Sequence, residues 1–192
     1  YLFTTIPNVK VILIAGNHDR IRDNSALLSF AWSPNVTFLM DPSLKSVYFE
    51  DINTEVYGFS YHTTEIKKPL LEDIQVPLNN RIQILMAHGG DASHLPLNFN
   101  SLELSPFSYI ALGHIHRPQA LMKDRIIYAG ALEPIDRNDV GPHGYVKGEI
   151  TEAGVHTQWI PCAMRSYIHL EVPVNTEDTM GSVRKKILEA VK

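Results

Sequence analysis

Short apolar runs rich in β-branched residues alternate along this chain with clusters of Gly, Pro, Asn and Asp. Residues 9–15 (Val-Lys-Val-Ile-Leu-Ile-Ala) lie between Pro7-Asn8 and Gly16-Asn17. That is the pattern of a buried strand with an abrupt polar end. A short helix is expected through Ala26, Leu27, Leu28 and Phe30, capped by Asp23 or Asn24. It should stop before Pro34, because the residue ahead of a proline avoids helical backbone. Residues 36–39, 46–49 and 55–59 read as three strands separated by Asp-Pro-Ser and Asp-Ile-Asn turns. A loop with Lys67-Lys68-Pro69 leads to a second buried strand, 82–87, that runs straight into His88-Gly89-Gly90. A third, 109–112, runs into Gly113-His114-Ile115-His116. Strands are expected at 126–129, 144–150 and 155–160, and again at 167–172 with Ile168, Leu170 and Val172 on one face. An acidic-capped helix begins near Glu177-Asp178, with Met180, Val183, Ile187 and Val191 at helical spacing. Many strands and few long helices predict an α/β (α+β) fold, a two-sheet β-sandwich flanked by helices.

Composition narrows the function classes. The 192 residues are 44% hydrophobic and 20% charged, enough to bury a core without disulfides. Cys162 stands alone, which excludes an intramolecular disulfide and any cysteine-rich zinc or iron–sulfur ligand set. A reducing compartment, the cytoplasm, follows as the expected location. No apolar run approaches the roughly 18 residues of a membrane span, so no membrane partner is expected. The net charge of −4 gives no bulk support for nucleic-acid binding. The basic clusters Arg20/Arg22, Lys67/Lys68 and Arg184/Lys185/Lys186 each read as a solvated face. Nine histidines beside one cysteine are the unusual feature.

Three of the predicted strands share one design: an apolar run, a glycine nearby, and histidine at the C-terminal end. They end in Gly16-Asn17-His18-Asp19, in His88-Gly89-Gly90 and in Gly113-His114-Ile115-His116. On adjacent strands of one sheet, all three ends would meet at the edge where α/β folds gather ligands. Glycines there let backbone approach an ion or phosphate closely. Imidazole with amide or carboxylate oxygen suits manganese, iron, zinc or nickel. On an extended strand end, His114 and His116 would point the same way, about 6–7 Å apart. Such a pair can bind one ion, or one ion each of a two-metal cluster. Asn17 also suits a turn, and Asp19 a helix N-cap that at the same time orients His18. His62 would face the cleft or sit in a plain loop; His94, His143, His156 and His169 show no partner pattern.

These residues resemble the last three of the five motifs of the calcineurin-like metallophosphoesterases. Tyr109-Ile-Ala-Leu-Gly-His-Ile-His-Arg-Pro-Gln, followed by Tyr128-Ala-Gly-Ala-Leu-Glu-Pro, is similar more narrowly to the SbcD-type exonuclease branch of double-strand-break repair. The resemblance implies that Asn17, His88 and His114 ligate one metal and His116 the other. It also implies that His18 protonates or steadies the leaving oxygen while Asp19 holds its ring. Arg20 and Arg22 become candidate phosphate contacts. The implied cofactors are two divalent ions, manganese first, with Fe, Zn, Ni or Mg as alternatives. The implied reaction is phosphodiester hydrolysis by metal-bound hydroxide attacking in line. DNA and a coiled-coil ABC-type ATPase of the SbcC kind are the implied partners.

The family's first two motifs, Asp-x-His and Gly-Asp, have no match in residues 1–15. Gly90-Asp91 comes after the histidine motif, in the wrong order. Residues 1–165 therefore read as the C-terminal part of a metallophosphoesterase domain, incomplete at the N-terminus, and 166–192 as the start of an accessory domain. The chain is expected to be a fragment of a nuclease, inactive alone, and open to self-association through an exposed sheet edge. A phosphomonoesterase or cyclic-nucleotide phosphodiesterase of the same superfamily is the alternative enzyme. A noncatalytic binding or scaffold module is the alternative class.

Overall fold

The computed structural model describes residues 2–72, 74 and 76–191. Strands with two apolar faces must be covered on both sides, and the sheet order answers that need. Six strands form the main sheet among the described residues, in the order β3-β4-β5-β6-β8-β7. They are β3 (Lys45–Phe49), β4 (Thr54–Gly58), β5 (Ile82–His88), β6 (Tyr109–Gly113), β7 (Gln119–Met122) and β8 (Ile126–Tyr128). The inner strands β4, β5, β6 and β8 run parallel, while β3 and β7 are antiparallel edges. Parallel strands end on the same side, so His88 and Gly113 are register partners at the C-terminal edge. Tyr57, Phe59, Leu85, Leu102, Phe107, Ile110 and Ile126 pack into one buried core around this sheet. The fold is mixed α/β, with few helices.

The first strand, β1 (Val11–Leu13), pairs in parallel with β2 (Val36–Phe38) in a sheet of its own. The expectation of three ends on adjacent strands of one sheet is therefore corrected. The ladder of β1 is made with β2, and the residues that follow β1 reach those that follow β4 through the Ser60 side chain and the Tyr61 main chain. The Ser60 hydroxyl accepts from the Ala15 N–H at 2.9 Å and donates to the Leu39 carbonyl at 2.7 Å. Beside it, the Tyr61 N–H donates to the Ala15 carbonyl at 3.0 Å. Ser60 is 1% exposed.

A hairpin of β9 (Gly144–Thr151) and β10 (Gly154–Pro161) forms the third sheet. Asp124 accepts from the Thr157 N–H and hydroxyl, and the Trp159 indole donates to the Ala129 carbonyl, tying this hairpin to the β7–β8 side.

Helices are short, apart from the last. The first, α1, is Ala26–Ser29, and it stops well before Pro34 as expected. Among the elements the sequence does not announce are α2 (Phe99–Glu103), capped by Asn98, and the edge strand β7. The last, α3 (Met180–Ala190), starts behind Thr179, whose hydroxyl and Ser182 form a reciprocal capping box. The expected strand at 167–172 does not form. Tyr167 makes one isolated bridge to Val140, and Ile168 and Leu170 stay exposed. Alternation alone makes no strand without a neighbour to complete its ladder. No helix among the described residues is long and apolar enough to cross a membrane.

Removing the Ser60 hydroxyl leaves a buried donor and a buried acceptor unpaired. Ser60→Ala should lower the unfolding free energy by about 1–3 kcal/mol, measured by urea denaturation. A change within about 0.5 kcal/mol, the level of an ordinary surface substitution, would show that Ser60 does not join the two sheets.

Candidate metal centre at the strand ends

The site begins with missing side chains. A Cβ on Gly16 would lie 2.6 to 2.9 Å from three atoms of the His88 ring, and one on Gly113 would lie 3.1 Å from His88 Nδ1. Glycine at both positions lets the imidazole at the end of β5 lie against two backbones. There His88 Nε2 meets Asn17 Oδ1 at 2.9 Å. Tyr61 packs edge-on against the same ring, at 5.6 Å between centroids. Burial above all, and then the neighbouring His114, lowers the His88 pKa to about 4. His88 is therefore neutral near pH 7, the form in which imidazole binds metals.

Beyond His88 the chain turns through Gly89 and Gly90, at φ of 155° and 132°. A Cβ on Gly90 would collide with the Tyr128 hydroxyl, which itself donates to the Gly89 carbonyl at 2.8 Å. This turn delivers Asp91. Its Oδ1 accepts from the Ser93 and His94 N–H groups, a local Asx arrangement, and both oxygens face His94 Nδ1 at 2.9 and 3.0 Å. Asp91 Oδ2 also lies 2.8 Å from His114 Nε2. Bonds from His114 first, and then from His94, hold this carboxyl well below the usual carboxylate range. Asp91, His94 and His114 offer ligand atoms that all lie within 4.8 Å of one another.

His114 and His116 do not alternate on an extended strand. His114 sits at φ 92°, in a region that L side chains rarely adopt, so the chain leaves its strand path there. Its ring reaches Asp91, while His116 Nδ1 turns to Asp139, 3.0 Å from both carboxylate oxygens. The same-side pair expected from spacing alone is thereby corrected.

The other sequence candidates are placed as follows. Asn17 is buried next to His88, whereas His18 is exposed and its ring has no hydrogen-bond partner among the described residues. Asp19 Oδ1 accepts from the Gly16 N–H at 2.7 Å, closing the turn; it neither caps α1 nor bonds to the His18 ring. Arg20 folds back to the Asn17 carbonyl at 3.4 Å, and Arg22 is exposed. His62 is tied to the Met40 carbonyl at 2.7 Å, outside the cluster. Asp91 and His94 also join the cluster, although the sequence around His94 shows no partner pattern. Their Asp-x-x-His spacing directly after a histidine–glycine strand end is the signal that would have found them.

These donors fit a divalent cation. A neutral imidazole, an amide oxygen and an ionised carboxylate make a borderline-hard set. Ligand bonds of about 2.1 Å place neighbouring donors roughly 3 Å apart, close to the Asn17–His88 and Asp91–His114 separations. The Tyr61 hydroxyl, buried beside His88, is an orphaned polar atom at this place. Gly16→Ala should drive the His88 ring away from Asn17, lower stability by about 1–3 kcal/mol and shift the His88 ring resonances in NMR spectra. Gly181→Ala, on the open face of α3, should instead stabilise by up to about 1 kcal/mol.

No family model matches the chain. It is 32% identical over 143 residues to the DNA double-strand break repair protein Mre11 of Methanocaldococcus jannaschii, a match covering 69% of this chain and 38% of that protein. It is 27% identical over 158 residues to the uncharacterized metallophosphoesterase YhaO of Bacillus subtilis, covering 77% of this chain and 38% of that protein. The matched stretch thus spans well under half the length of either relative. With histidines at the ends of its parallel strands and these two relatives, the chain is related to the calcineurin-like metallophosphoesterases, their DNA repair nuclease branch included.

Proposed function

We propose that this chain supplies the C-terminal part of the catalytic domain of a two-ion DNA exonuclease, acting on phosphodiester bonds in double-strand-break repair. The observation that carries this reading is that the Asn17–His88 pair lies beside the Asp91–His94–His114 cluster, with the His88 and His114 rings 5.2 Å apart. The likeness to a double-strand break repair protein supports the choice of substrate. Asn17, His88 and His114 hold one ion, with Asp91 as the carboxylate that balances its charge, and His116 belongs to a second. Two divalent ions, manganese by preference, polarise the phosphodiester and activate water when bound.

The chain's own residues do the rest. His18, exposed on the loop after β1, gives the leaving oxygen its proton from a ring nitrogen. Asp19 keeps that loop in its turn through the Gly16 N–H. Arg20 and Arg22, on the same loop, contact phosphate oxygens of the DNA. Residues 166–192 begin an accessory domain, and a coiled-coil ABC-type ATPase is the partner of the whole protein in the cytoplasm. Among the described residues, Asp139 is the one carboxylate on His116. The chain alone therefore binds its second ion weakly and is inactive.

Calorimetric titration of the 192-residue chain with Mn2+ should show one principal site, weakened by at least about 100-fold in His88→Ala, more than an outer-shell loss costs. In the full-length parent, Mn2+-dependent cleavage of DNA ends should exceed hydrolysis of bis-p-nitrophenyl phosphate and of p-nitrophenyl phosphate. Preference for the monoester would overturn the nuclease reading. Absence of any Mn2+-dependent hydrolysis in the parent would favour a binding module.

A further inference from the structure

His116 differs from the other candidate ligands in having a carboxylate fixed on the far side of its ring. Both oxygens of Asp139 lie 3.0 Å from its Nδ1, and among the described residues its Nε2 has no partner. The two partners are anchored separately. The His116 carbonyl accepts from the Ala131 N–H at 3.0 Å. A Cβ on Gly130, which sits at φ 82°, would lie 2.7 Å from the same carbonyl, so the approach of these two segments requires glycine. Asp139 is held by the Ile135 N–H on Oδ2 at 2.9 Å, and its carbonyl lies 3.1 Å from Nε2 of the buried His143. The His143 carbonyl in turn accepts from the Cys162 and Ala163 N–H groups at the end of β10. The Asp139 side chain is 12% exposed, against 42% for that of His116. A carboxylate held this firmly against a more open imidazole is no ordinary surface pair, in which both side chains move.

We propose that Asp139 is the positioning residue of His116: it holds the proton on Nδ1 and so presents a bare Nε2 to a divalent cation. This rests on the metal-centre reading of the site. It adds a residue from a loop 23 positions beyond the histidine, fastened through His143 to the β9–β10 hairpin. A carboxylate on the remote nitrogen fixes the tautomer and the ring plane, and raises the basicity of the ligating nitrogen.

Nitrogen-15 NMR of the imidazole rings tests this in the metal-free 192-residue chain at about pH 8, above the ordinary histidine range. The His116 signals are assigned by their loss in His116→Gln. The expected wild-type result is a protonated Nδ1 and a bare Nε2 that shifts on adding Zn2+. In Asp139→Asn the proton should redistribute towards Nε2, because the amide presents an NH2 as readily as an oxygen. The His88 and His114 signals should stay in place. The Zn2+ affinity read at His116 should fall about 10- to 100-fold, with part of it recovered in Asp139→Glu. An Nε2–H tautomer or a doubly protonated ring in the wild-type chain would overturn the inference by itself, whether or not a variant folds. An unchanged tautomer and affinity in a folded Asp139→Asn would overturn it too. A bare wild-type Nε2 that ignores Zn2+ even at millimolar concentration would remove the ligand role of His116 and overturn the inference, while the Asn17–His88 site is read separately from the His88 signals.

Discussion

The strand ends are brought together by the hydrogen bonds around Ser60 and Tyr61. Ser60 stands between two sheets that share no ladder, accepting a hydrogen bond from the β1 side and donating one to the β2 side. A hydrogen bond contributes little net stability when water can replace it. This one is sealed from water, so its geometry is enforced by the cost of leaving either partner empty. The consequence reaches Asn17, two residues beyond Ala15. Its amide meets His88 from a loop that these bonds hold against the residues following β4. The position of one candidate ligand thus follows from a residue that touches no ligand at all.

Around that fixed frame, electrostatics and strain oppose each other. Three imidazoles crowd the sheet edge: the His88 and His114 rings are 5.2 Å apart, and those of His94 and His114 4.7 Å. Positive charge on all of them would be mutually repulsive, and burial already keeps His88 neutral. Asp91 supplies the only carboxylate bonded to this group among the described residues. Its field also raises the pKa of Tyr61 and Tyr128 to about 12, behind the larger effect of their burial. The backbone bears its own cost at His114, held at positive φ by the packing around it. Strain at such a point persists only where the surroundings overdetermine it, and it is commonly found where chemistry is done.

The centre of the main sheet was legible because β5 and β6 are nearly continuous apolar runs that end in histidine and glycine. The strands expected at 82–87 and 109–112 lie in β5 and β6, each longer by the one residue that enters the site. The histidine motifs were legible because glycines mark where backbone must approach a ring. Long-range pairing was not legible. Nothing local in residues 9–15 says that β1 takes β2 as its sole ladder partner, and nothing in 167–172 says that its apolar alternation lacks one. The contact of Asp91 with His94 and His114 was not legible because it depends on a fold-back after Gly90, which no periodicity records. His116 and Asp139 are likewise joined by tertiary contact alone.

The parallel arrangement of β4, β5, β6 and β8 has a consequence for how the molecule acquires its site. Each parallel neighbour is separated along the chain by a crossover, so no local hairpin can bring two of these strand ends together. Asn17 and His88 lie 71 positions apart, and Asp91 and His114 lie 23 apart. Early folding, which favours contacts near in sequence, cannot assemble such a constellation. The ligand set exists only in chains that have completed the whole sheet. A cation captured there would discriminate finished molecules from partly folded ones, drawing the population towards the native state by mass action.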